Sequence, residues 1–355
     1  MHLSDLWFIA IATLWAGYFV LEGFDFGVGI LLPALGRDDT RRRVMINTIG
    51  PVWDGNEVWL LTAGGATFAA FPGWYASMFS SFYLPLLLIL VALIFRGVAF
   101  EYRAKRPGAR WRRGWDAAIF GGSLLPAILW GVAFGNVLHG IRLNAAHNYA
   151  GNVIDLLNPY ALLGGLATLT LFTFDGALFL ALKTSGDLRR EAGAAARLAG
   201  AAAIVAGGGF LAWTEFSYRA AGHVATGVAS VTLAAVAAIA LIAALAATMR
   251  GREGVAFTAG VTGIAVATAA LFAALYPNVL PSTISAAYTL TTGNASSTAK
   301  TLAVMTVVAC IFLPFVLLYQ GWTYWVFRKR IDASPQPPVE APQPPQPNEP
   351  TAVGQ

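Results

Sequence analysis

The chain has 355 residues, 57% apolar and only 12% charged, with a formal net charge of +5 and one cysteine. A soluble domain carries about twice that charged fraction, so an ordinary soluble enzyme is excluded. The lone Cys310 rules out an internal disulfide or a thiolate metal site and reads as a small buried residue.

Taken in order, nine apolar segments stand out, at 6–32, 52–71, 75–99, 117–138, 156–182, 198–216, 224–249, 255–276 and 301–327. Each is long enough, or nearly so, for a hydrocarbon core of roughly 30 Å. They predict an all-α polytopic membrane protein of nine transmembrane helices. No Lys or Arg precedes Arg37, so the first segment lacks the basic region of a cleaved signal peptide and reads as a retained span. Gly and Ala crowd stretches such as 201–209 and 231–247, a composition that lets helices approach closely in a packed bundle.

Of the 23 basic residues, all but Arg96, Arg142, Arg219 and Lys300 fall in five stretches, at 37–43, 103–113, 183–197, 250–252 and 328–330. These lie on one side of the predicted bundle. By the positive-inside rule that side is cytoplasmic, with the N-terminus outside and the C-terminus inside. The same placement argues for membrane topology and against nucleic-acid binding. Phe24-Asp25-Phe26-Gly27 before one basic stretch and Phe174-Asp175-Gly176 before another suggest a repeat at an offset of about 150 residues. Two pseudo-repeated four-helix bundles and one peripheral ninth helix would result. The membrane domain thus covers 1–331, and the proline-rich 332–355 reads as a disordered cytoplasmic tail.

Chemistry points to the carboxylates. Glu22 and Asp25 are three apart on the first segment, and Asp54 and Glu57 are three apart on the second, so each pair shares a helical face. Acids inside apolar spans are costly and by default mark an ion or proton path. At 1.5 Å per residue, Glu22 and Asp25 lie roughly 24–29 Å along an inward-running helix, near the basic side. Asp54 and Glu57 open the next helix on that side, and Asp175 falls in the same layer. Arg96 is the nearest counter-ion. Asp116, before the fourth segment, reads as an N-cap. The four histidines, His2, His139, His147 and His223, all lie at the terminus or in outer loops, so no span offers the usual axial ligand of a buried haem. No nucleotide or zinc-protease motif is present, and the chain by itself holds no catalytic or metal site. On residues alone, a secondary transporter using intramembrane carboxylates is the competing reading; it predicts helices broken near mid-membrane.

The motifs Gly23-Phe24-Asp25-Phe26-Gly27-Val28-Gly29 and Trp53-Asp54-Gly55-Asn56-Glu57-Val58-Trp59 closely resemble subunit II of cytochrome bd-type ubiquinol oxidases, a family that includes the cyanide-insensitive quinol oxidases. The similarity continues through 41–47, 62–72, 96–103, 130–136, 289–298 and 319–327, and stops before the tail. It implies a bacterial cytoplasmic (inner) membrane complex that oxidises quinol and reduces O2 to water. Two haems b and one haem d would reside in subunit I, the heterodimer partner, with small accessory subunits in some members. This chain would be the haem-free companion, generating proton-motive force without pumping. In the family, the aspartate matching Asp54 lies on a cytoplasmic proton route, here joined by Asp25, Glu57 and Glu22. The tryptophan matching Trp59 is associated with a lateral oxygen entry, and a quinone can be held in this subunit.

Overall fold

The structure, a computed structural model, describes residues 2–220 and 224–332; His223 and residues 333–355 of the proline-rich stretch lie outside them. Eleven helices occur among the described residues: α1 (Leu3–Leu35), α2 (Asp39–Ile49), α3 (Trp53–Ala70), α4 (Pro72–Ser81), α5 (Tyr83–Tyr102), α6 (Ala109–His139), α7 (Pro159–Lys183), α8 (Gly186–Ala220), α9 (Val224–Met249), α10 (Glu253–Leu275) and α11 (Ala299–Val326). Eight of them, all but α2, α3 and α4, are long and apolar enough to cross a membrane. The chain is a polytopic helical membrane protein.

Helix α3 occupies the second apolar segment, but Asp54, Asn56, Glu57, Thr62 and Thr67 leave it more polar than the others. The basic connection after α1 is itself helical. Asp38 caps α2, its side chain accepting from the Arg41 amide at 2.8 Å. The third segment is divided at Phe82 between α4, which starts on Pro72, and α5. Asp116 is not a cap: Gly108 caps α6, and Asp116 sits inside the helix, ion-paired to Arg103 and Arg42. Cys310 is exposed on α11, not buried. Helices α6 and α11 continue through Pro126 and Pro314, so neither proline breaks its helix as a transporter reading expects.

Helix α1 is central, packing on α3, α6, α7 and α10. Helices α7 to α10 pack in sequence, and α5 packs on α6. The crossing of α1 and α7 is a glycine contact. A Cβ at Gly27 would fall on the Phe172 carbonyl and the Gly176 backbone, and one at Gly176 on Gly27. Only these residues permit the approach, and they follow the two repeated Phe-Asp motifs. Helix α11 lies outermost and buries only Leu302.

The connections gather at two opposite ends. At the basic end, Arg41 pairs with Glu191 at 3.1 Å, Arg103 and Arg112 each pair with Asp39 at 2.7 Å, and Arg330 pairs with Glu253 at 2.7 Å. At the other end, a hairpin of β1 (Asn278–Leu280) and β2 (Leu290–Thr291) packs with the loop after α6. There the Ser77 hydroxyl donates to the His147 carbonyl at 2.8 Å, and the Ser297 amide to the Ala70 carbonyl at 2.8 Å.

Candidate functional site

The motifs around Asp25 and Trp53 meet where α1, α3, α5, α7 and α11 converge. Glu22, Asp25, Asn56 and Arg96 have no solvent exposure, and Asp175 has 1%. Arg96 on α5 ion-pairs with Glu22 on α1, while the guanidinium lies over the Phe26 ring at 4.6 Å and the Phe100 ring at 5.8 Å. The pairing anticipated for Arg96 is therefore with Glu22. Burying a charge is tolerable only with such compensation. Yet Glu22 Oε2, Arg96 Nε and Arg96 Nη1 have no protein partner.

Asp25 takes a different partner. Its Oδ2 accepts from Asn56 Nδ2 at 2.8 Å, and that amide also reaches the Leu21 carbonyl at 3.3 Å. Asn56 Oδ1 accepts from the Tyr324 hydroxyl at 2.7 Å and from Gln320 Nε2 at 3.1 Å, both on α11. Asn56 thus ties three helices around one carboxyl group. An asparagine between Asp54 and Glu57 carries little signal by itself in the sequence; its full burial on a helix is what reveals the hub. Gln320 and Tyr324 were missed for the same reason, since they lie about 264 positions away in the chain.

The two α3 acids are placed differently from the α1 pair. Asp54 is exposed at the start of α3, its Oδ1 accepting from the Gly55 amide at 2.8 Å. Glu57 is half-buried and within electrostatic reach of both Arg96 and Asp54. The four predicted acids therefore do not form one equally buried layer. They grade from the exposed Asp54 through Glu57 to the enclosed Glu22 and Asp25. Asp175, on α7, has neither carboxyl oxygen paired. Trp59 is partly buried, its ring filling the space beside Gly17 on α1.

Toward the opposite end lies a cavity of about 490 Å³, lined by Trp15, Trp74, Trp130, Phe134, Phe272 and other apolar side chains. Its one buried polar atom without a partner is the indole Nε1 of Trp74. His139 Nδ1 lies 3.1 Å from the Gly140 carbonyl, and His147 Nδ1 lies 3.0 Å from the Tyr288 carbonyl. Neither ring faces the buried centre, and no cluster of three metal-binding side chains occurs among the described residues. Among the described residues, those at the buried centre do not fit haem ligation.

A helical membrane protein with a buried, partly compensated charge centre is the class these features define. Comparison narrows it. Residues 3–327 match the family model for cytochrome bd terminal oxidase subunit II. The chain is 43% identical over 330 residues to cytochrome bd ubiquinol oxidase subunit 2 of Bacillus subtilis strain 168, covering 93% of this chain and 97% of that one. It is 38% identical over 360 residues to cytochrome bd-I ubiquinol oxidase subunit 2 of Escherichia coli K12, covering 93% and 95%. A chain of the bd oxidase from Geobacillus thermodenitrificans shares the fold, with a TM-score of 0.74 at 18% identity over 93% of this chain and all of that one. The chain belongs to the cytochrome bd terminal oxidase subunit II family. It is a subunit of a membrane-embedded oxidoreductase complex of the respiratory chain.

Proposed function

We propose that this chain is the haem-free subunit II of a quinol:dioxygen oxidoreductase in a bacterial cytoplasmic membrane. Nine spans would place the N-terminus outside and the basic end in the cytoplasm, with α3 as the ninth, sheltered by α1. Subunit I would carry haem b and haem d, and quinol and O2 would be the substrates. Exposed apolar faces of α5 and α11, with Ile94, Phe95, Phe312 and Phe315, are suited to lipid and to that partner.

The role of this chain is to conduct protons from the cytoplasm toward the oxygen chemistry. The observation that carries this is the graded series of acids ending at Glu22, Asp25 and Arg96. Asp54 sits at the water-accessible mouth and Glu57 one turn further. Asn56 fixes the Asp25 carboxyl and leaves its Oδ1 free to exchange a proton. Arg96 balances one buried carboxyl, and protons would balance the others. Because quinol would release its protons outside while oxygen reduction draws them from the cytoplasm, charge separates without pumping. Trp59 borders a lateral route for O2. The large apolar cavity suits a quinone's hydrocarbon tail, with the unpartnered Trp74 N–H available as a donor for an oxygen acceptor.

The test is Asp54→Asn in the intact complex. Oxygen uptake with excess quinol should slow by about tenfold, which corresponds to roughly 1.4 kcal/mol on the limiting step, while haem content stays that of the wild type. Unchanged turnover refutes the role of Asp54.

A further inference from the structure

A second cavity, of about 400 Å³, opens at the basic end between α7, α8 and the turn joining α9 to α10. Three arginines of α8 line it: Arg189, Arg190 and Arg197. Arg190, Gly193 and Arg197 follow at three- and four-residue steps, so they share one helical face. The acidic groups nearby are already engaged. Glu253 accepts from Arg189 at 2.5 Å and from Arg330 at 2.7 Å, one guanidinium on each oxygen. Asp187 pairs with Arg190 at 2.6 Å. Arg197 makes no ion pair among the described residues, nor do Arg250 and Arg252 in the adjoining turn. The cavity therefore carries an excess of positive charge that the protein leaves unbalanced.

Its walls are open where side chains would otherwise fill it. Gly193 and Gly251 have no atom within 4 Å of a would-be Cβ, and Gly251 has φ +67°. Immediately toward the bundle centre the surface turns apolar. Leu198 is 78% and Val205 76% exposed, seven residues apart on one side of α8. A charged cavity at one end of a helix whose following turns expose aliphatic side chains offers two kinds of surface for a two-part ligand.

We propose that this cavity binds the phosphate headgroup of an anionic phospholipid, with the acyl chains lying against Leu198 and Val205. Basic pockets between membrane helices on the cytoplasmic side take such headgroups. Guanidinium groups recognise phosphate oxygens by bidentate hydrogen bonds. The same chemistry would accept a free phosphate ion, but only a lipid uses the apolar border. This site is separate from the acids of α1 and α3 and does not depend on the proton route.

The test titrates the purified, delipidated complex with phosphatidylglycerol and, separately, phosphatidylcholine and inorganic phosphate, reading bound adducts by native mass spectrometry. The wild type should bind phosphatidylglycerol about thirty-fold more tightly than the Arg190→Ala/Arg197→Ala variant, and should prefer it to phosphatidylcholine. Arg197→Lys, which keeps the charge, should retain most of the binding. Equal affinity of wild type and double variant overturns the proposal. So does equal binding of the two lipids, or displacement of the lipid by inorganic phosphate at comparable concentration, which would make the site one for the free ion. Loss of the partner subunit from the double variant, without loss of lipid, overturns it in favour of a protein contact.

Discussion

Replacing Arg96 by glutamine probes the buried centre most directly. Arg96 and Glu22 are both fully enclosed and paired to each other. In Arg96→Gln the Glu22 carboxylate loses its cation, and its Oε2 already lacks any other partner. Breaking a buried pair from one side costs about 3–5 kcal/mol, because the remaining charge stays desolvated. Against a total stability on the order of 5–15 kcal/mol, that is a large fraction. The double variant Glu22→Gln/Arg96→Gln removes both charges and should recover most of the loss, since an uncharged pair of similar volume costs far less to bury. The assay is the melting midpoint of the purified complex in one detergent, with haem retention as a second readout. Arg96→Gln within about 0.5 kcal/mol of wild type would refute the argument. A double variant as unstable as the single one would do the same, since it would show that the guanidinium acts by packing on Phe26 and Phe100 rather than by charge.

Three other substitutions test the packing and the charges. Gly27→Ala should destabilise the complex by about 1–3 kcal/mol or more, because the new methyl meets the Phe172 carbonyl and the Gly176 backbone, which cannot move aside. Gly207→Ala, with no atom within 4 Å of its would-be Cβ, should instead be neutral or stabilising by up to about 1 kcal/mol; shifts of the same sign and size in melting midpoint would contradict the packing account. The third concerns acid. Partial burial would push the Asp39 carboxyl up, but its hydrogen bond and charge interactions with Arg103, and the charges of Arg112 and Arg43, outweigh this and hold it below the ordinary carboxylate range. A depressed carboxyl stabilises the fold above its unfolded value of about 4, and that contribution fades as pH falls through the lower folded value. The gap in melting midpoint between wild type and Asp39→Asn should therefore stay constant from neutral pH to about 4 and close below it. A gap that widens on acidification would reverse the sign and defeat the assignment.

Membrane segments were legible because hydrocarbon imposes its length and composition on any helix that crosses it. Each predicted segment therefore coincides with a helix, if one allows that 75–99 contains the α4–α5 break and that α3 is comparatively polar. The break at Phe82, where no side chain caps either helix, and the helix α2, started by the Asp38 cap, were not legible, since hydropathy registers neither. Cys310 shows the limit of composition. In a soluble protein a cysteine within an apolar run is usually buried, but α11 is outermost, and its apolar side chains face outward.

The sequence by itself determined the class, the spacing of the acids and the division of basic residues between the two ends. These depend on one-dimensional properties: hydropathy, periodicity and charge. Only the tertiary structure decided which acid holds which partner. Arg96 joins Glu22 across 74 positions, and Asn56 joins Asp25 to Gln320 and Tyr324 across far more. It also separated the exposed Asp54 from the enclosed Asp25, although their motifs look alike. Such pairings arise from where helices cross, and the crossings are set by contacts like that of Gly27 with Gly176, between residues far apart in the chain.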